Sequence, residues 1–241
     1  MSDTRLQLVF DEASRIFINQ GYARAQIRDI VKATGVSTGA LYSLFSGKKA
    51  ILCFIVRCVI DSEYIDSDFG FPIQEDSFSV LSDQLKQVFI DTTDKFRAIL
   101  DTDIESYTFD RMLSEVFDHI SKYKIILLLI ENNPRENSGL WDFYVEYRKR
   151  FFDIFNRFID AYIKLGVVRP LEDCGLSVNL MIETLAWWAM KADYQTFEIG
   201  VSTEKAKQVC LDALIHAYRM RLDSVEVLTP PLNPSRIHPV A

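Results

Sequence analysis

The sequence predicts an all-α protein: a small three-helix head followed by a larger helical body. Three observations predict it. Apolar residues recur at helical spacing from the start, with Leu6, Phe10, Ala13 and Phe17 forming one stripe. Nine glycines and seven prolines among 241 residues are too few for a turn-rich β fold. Period-2 alternation is absent, and no Asn-Gly or Asp-Gly pair marks a hairpin. The length allows one or two domains with a sizeable core.

The elements follow in order. Leu6 to Phe17 closes over the stretch that comes next. Ile27, Ile30 and Val31 put apolar side chains on one face of a second helix, which Gly35 stops because glycine enters the left-handed region without steric cost. Val36 turns back into the seam and Ser37 is placed to cap a third helix, roughly Thr38 to Phe45. That helix buries Leu41 and Phe45 and leaves Thr38, Gly39, Tyr42 and Ser43 facing out. Two short helices joined by a tight turn, the second with a small polar tip, make a helix-turn-helix that a DNA major groove can admit.

A longer helix is expected from Lys48 to Ser67, capped by Ser46, with Ile51, Ile55 and Val59 along one side. The Phe69-Gly70-Phe71-Pro72 break should separate head from body. Helices are then expected near 76–100, 104–119, 121–132, 139–165, 173–193 and 203–222. The domains are accordingly 1–47 for the head, 48–68 for a connecting helix, 69–222 for a ligand-binding and dimerisation body, and 223–241 for a tail. Four of the seven prolines fall between Thr229 and Ala241, so the tail should be extended or disordered.

Charge divides the chain in the same place. Net charge is −7 overall, yet residues 1–57 hold eight Lys/Arg against four acids, leaving 19 against 30 in the remainder. A basic head on an acidic body engages phosphates with one end only.

The spacing Gly35, Ser37, Gly39, Leu41, Tyr42, Phe45, Lys48, Leu52 resembles the TetR (tetracycline-repressor) family of bacterial regulators. The resemblance implies a dimeric transcriptional regulator with a helical ligand domain, expected here to be a repressor relieved by a small lipophilic effector. It chooses the same DNA-facing residues as the helix geometry. Thr38, Gly39, Ser37 and Ser43 would approach base edges, Tyr42 and Lys48 phosphates, and Gln26 and Arg28 either. Members of the family commonly carry Thr where Ala25 stands and Thr or Ser where Gln26 stands, so the usual cap of the second helix is missing. At Leu44 they commonly carry His or Tyr, near a phosphate. The helix beginning at Lys48 belongs to both domains and is the expected lever between them.

For the effector, 24 of the 30 aromatic residues lie beyond residue 57. Phe89, Phe96, Tyr107, Phe109, Met112, Phe117, Trp141, Tyr144 and Phe151 are the expected lining of a largely apolar cavity with a few hydroxyl handles. Acidic surroundings lean toward a neutral or cationic ligand. For the dimer, the last two helices offer Leu180, Trp187, Val209, Ala213, Leu214 and Ala217, which the family resemblance pairs across a two-fold axis as a four-helix bundle. Two recognition helices set one turn apart would read a palindromic operator in double-stranded DNA.

Other chemistries find no pattern. Cys53, Cys58, Cys174 and Cys210 form no CxxC pair, and the three histidines are far apart, so neither disulfides, metal nor cofactor is expected. Catalytic spacing is absent. Apolar runs such as Ile125 to Ile130 are too short to cross a bilayer, and the N-terminus has no secretory h-region. A cytoplasmic protein that contacts no membrane is the expectation. The alternative function is an all-α protein-interaction module whose helix-turn-helix is vestigial.

Overall fold

The structure, a computed structural model, describes residues 4–133, 138–191 and 201–220. The expected tail lies outside the described residues. Nine α-helices are described: α1 (Thr4–Gln20), α2 (Ile27–Thr34), α3 (Thr38–Leu44), α4 (Lys48–Ile60), α5 (Phe78–Thr102), α6 (Phe109–Asn132), α7 (Ser138–Lys164), α8 (Cys174–Lys191) and α9 (Thr203–Tyr218). A single 3₁₀ turn, Tyr64–Asp66, follows α4, and no strand is formed among the described residues. None of the described helices is long and apolar enough to cross a membrane.

The head forms as its local chemistry dictates. Leu6, Val9, Ala13 and Phe17 bury one face of α1, with Phe10 only half-buried beside them. Gly35 ends α2 at φ 68°, its N–H bonded to the Val31 carbonyl. Ser37 Oγ caps α3 by accepting from the Ala40 N–H at 3.2 Å. Helix α2 has no hydroxyl cap, and a residue within it instead satisfies the N–H of the residue that precedes it. There the Asp29 carboxylate accepts from the Gln26 N–H at 2.9 Å, which also sets a negative charge at a helix N-terminus.

Three expectations shift. Helix α4 starts after Gly47, and Ser46 does not cap it; the Ser46 N–H instead donates to the Ile73 carbonyl at 2.9 Å. It also ends at Ile60, well short of Ser67. The chain beyond it does not leave the head at Phe69. The Ile73 N–H donates to the Leu44 carbonyl at 2.8 Å, making a parallel bridge between Ile73 and Phe45. Ion pairs Lys49–Glu75 and Arg57–Asp76 fasten the same segment to α4. Residues 69–77 are thus a strap across the end of α3, and the chain enters the body only at α5. Finally, the helices expected at 104–119 and 121–132 are one. Neither glycine nor proline interrupts 109–132, and Ile120 at the supposed break is buried.

Helix α6 is the centre of the body, packed against α7, α8 and α9 and reaching α1 and α4 of the head. Its buried residues run its whole length, from Phe109 to Ile130.

Candidate nucleic-acid interface and effector cavity

Helix α3 is held from behind and open in front. Leu41, Leu44 and Phe45 are at most 2% exposed, and Phe45 meets the Phe54 ring edge-on at 5.2 Å. Burying three such side chains contributes about 2 kcal/mol each, so the orientation of this short helix is set by packing, since seven residues are too few to be stable alone. Thr38, Gly39, Tyr42 and Ser43 are exposed on the opposite side, with Ser37 at the tip and Gln26 and Arg28 exposed on the preceding turn and helix. Ser43 Oγ donates to the Ala40 carbonyl at 2.7 Å, which leaves its lone pairs as acceptors. A Cβ added at Gly39 would meet nothing within 4 Å.

Two residues depart from expectation. Leu44, read as the position of a phosphate-facing side chain, is a core residue. It is 2% exposed and takes no part in the exposed face of α3. Lys48 is turned inward. Its Nζ donates to the carbonyls of Tyr22 at 2.8 Å, Ala25 at 2.9 Å and Ala23 at 3.3 Å, and sits 4.4 Å from the centre of the Tyr22 ring. An ammonium has three N–H donors, and all three are taken. In this arrangement Lys48 ties the α1–α2 turn to α4 and has no donor left for a phosphate.

The same turn is gripped from the body. The Tyr22 N–H donates to Asn133 Oδ1 at 3.1 Å, and Asn132 Nδ2 donates to the Ile18 carbonyl at 3.0 Å. Gly21 has φ 85°, and a Cβ there would stand 3.0 Å from Asn133 Oδ1. Glycine is required here twice over, by conformation and by closeness. Sequence reading missed this junction, since its partners lie 111 and 114 residues apart.

A cavity of about 540 Å³ lies between α6, α7 and α8. Of the nine residues expected to line it, Tyr144 and Phe151 do. Trp141 instead borders a smaller space of about 50 Å³ beneath Tyr22, between the head and the body. Phe96 and Met112 line, with Phe151, a gap of about 10 Å³. Phe89, Tyr107, Phe109 and Phe117 are core: each is at most 2% exposed. The residues overlooked are polar ones. His119 Nδ1 lies 3.4 Å from Thr92 Oγ1, and its Nε2 lies 3.1 Å from the Tyr147 hydroxyl. Thr92 spends its hydrogen on the Val88 carbonyl, so Nδ1 donates to Thr92 and Nε2 accepts from Tyr147. Burial, aided by the charges of Lys122 and Lys95, pushes His119 down to about 4. The ring is therefore neutral at physiological pH. Glu131, Arg148 and Glu183 add a charged cluster to the lining, with Asn179 and the exposed Lys149, Asp153 and Lys191 beside it.

On α8 and α9, Leu180, Trp187 and Val209 are exposed large apolar side chains, and Ala213 and Ala217 are exposed beside them. Leu214 is not part of this surface: it is 5% exposed, packed into the chain's own core.

Residues 9–52 match the profile of the bacterial regulatory proteins of the tetR family. Among solved structures, the Probable transcriptional regulatory protein RHA5900 aligns over 88% of this chain and 97% of its own, at 16% identity and a TM-score of 0.52. The ketosteroid transcriptional regulator KstR2 of Mycobacterium tuberculosis aligns over 92% and 98%, at 16% identity and a TM-score of 0.50. At such identity the likeness is one of fold. No curated protein matches the sequence significantly.

Proposed function

We propose that this chain, whose residues 9–52 form a TetR-family head, is a homodimeric, sequence-specific DNA-binding regulator. It acts as a repressor released by a small lipophilic effector held between α6, α7 and α8. The observation that carries the reading is the face of α3. A short helix is fixed from behind by three buried side chains and presents Thr38, Gly39, Tyr42 and Ser43 to solvent. The positive charge of the head supplies attraction to phosphates, and the acidic body opposes binding in any other orientation.

Dimerisation follows from α8 and α9, whose exposed apolar residues Leu176, Leu180, Trp187 and Val209 need a partner. A second copy supplies it and brings a second α3 to a second half-site. The route from cavity to DNA runs along α6. Its Glu131 faces the effector, and the next two residues, Asn132 and Asn133, hold the last turn of α1 and the α1–α2 turn. The expected lever, α4, is then a follower, tied to the same turn by Lys48. An effector that favours one position of α6 moves the heads only as far as its differential affinity for the two arrangements allows.

The test is selection of binding sites by the purified full chain from a random double-stranded pool at two salt concentrations. Enrichment of a palindrome, with affinity falling steeply as salt rises, supports the reading. A folded dimer that enriches nothing at low salt overturns it. The interaction-module alternative gains nothing from Leu44, since that residue belongs to the core.

A further inference from the structure

The wall of the large cavity is mostly apolar, with Ile120, Leu127, Phe151, Phe152, Ile182 and Met190 contributing to it. One charged cluster interrupts it, and each of the three helices supplies a member. Arg148 of α7 lies 3.7 Å from Glu131 of α6 and makes a closer ion pair with Glu183 of α8. The Tyr144 hydroxyl donates to Glu131 Oε1 at 2.6 Å. Burial alone would lower the Arg148 pKa, but Tyr144, Glu183 and Glu131 together raise it, so the guanidinium stays charged.

Two balances in this cluster point the same way. Two carboxylates share one guanidinium, so the cluster keeps one negative charge. The donors of Tyr144 and Arg148 are directed at Glu131 Oε1 and Glu183 Oε1. Glu131 Oε2 and Glu183 Oε2 accept no hydrogen bond among the described residues. The cluster therefore offers acceptors and has one cation, Arg148, for two carboxylates. Arg148 and Glu183 are themselves about half exposed, and Glu131 is the sheltered member. Lys149, Asp153 and Lys191, also exposed, add one net positive charge, so the lining as a whole is balanced and its negative side is local to the Glu131 and Glu183 oxygens.

We propose that the cavity is built for a lipophilic amine, its apolar body against the aromatic and aliphatic wall and its protonated N–H group on the free oxygens of Glu131 and Glu183. This rests on the reading that the effector occupies this cavity. A carboxylate or phosphate ligand would face two carboxylates and would have to displace one from Arg148. A neutral ligand would bury in the same space but leave the charge unmatched. Because one carboxylate belongs to α6 and the other to α8, an ammonium bridging them fixes the spacing of those two helices.

Isothermal titration of the full chain with decylammonium, 1-decanol and decanoate holds the ten-carbon body constant while the head group changes. Decylammonium is expected to bind tightest and decanoate weakest. Glu183→Gln and Glu131→Gln should each weaken decylammonium by roughly tenfold, the scale of one charge-assisted hydrogen bond, and change 1-decanol by less than about twofold. Tighter binding of 1-decanol or decanoate than of decylammonium overturns the amine assignment and leaves the cavity as the effector site. So does decylammonium binding that neither variant changes. Failure of all three to bind overturns the effector reading itself, and the amine assignment with it.

Discussion

Gly39 separates a residue kept for its own fold from one kept for contact with something else. Glycine costs about 1 kcal/mol relative to alanine in a helix interior and less in the first turn, where Gly39 stands two residues after the Ser37 cap. Nothing within 4 Å forbids a side chain at this position. Under the proposed function, the bare backbone lets α3 approach the major groove closely. Gly39→Ala is expected to raise the stability of the head by about 0.5 kcal/mol in thermal unfolding while lowering operator affinity in anisotropy titrations. A variant that is both more stable and undiminished in DNA binding would remove Gly39 from the interface. Lys48 is the opposite case. Replacing it with Met keeps the aliphatic stem and removes three hydrogen bonds from one ammonium, an expected loss of about 2 kcal/mol in stability. Operator affinity well below the melting temperature should stay within about threefold, with an unchanged salt slope. Unchanged stability with a salt slope reduced by about one would return Lys48 to the phosphates.

At the scale of elements, α6 does two things at once, since it walls the cavity and grips the head. The grip makes a local claim. In Asn133→Ala the Tyr22 N–H loses its acceptor, so its amide exchange should speed up by about tenfold or more, while amides near Ile126 in mid-helix keep their protection. Equal protection of Tyr22 in both proteins would mean that the head is held without α6. These elements also show what a sequence discloses. The α2–α3 pair was legible because its signals are local: Gly35, Ser37 and the apolar seam act within a few residues. The continuity of α6 was less so, because no composition shift distinguishes a break from a polar stretch on a long helix. The cavity was legible as a region and not as a set of residues. Phe89, Phe109 and Phe117 are as aromatic as Phe151, and only the rotation of each helix against its neighbours decides which are core. The inward turn of Lys48 likewise depends on carbonyls more than twenty residues away.

For the whole molecule, charge and symmetry work together. In the proposed dimer the basic heads draw the protein to phosphates without regard to sequence, and the acidic bodies keep the approach oriented. Specificity then depends on two copies of one short helix, held at a fixed distance by the body. A single α3 has four outward residues, too few to read more than a handful of base pairs, so the proposed readout needs two copies. That claim is tested most directly by repeating the selection from a random pool with Thr38→Ala and Ser43→Ala in place of the wild-type chain. The account predicts that each variant enriches a palindrome altered at the same base positions in both half-sites, with the spacing between half-sites kept. Enrichment of the unchanged wild-type palindrome by both variants would contradict it, because the sequence would then be read by a surface other than the exposed face of α3.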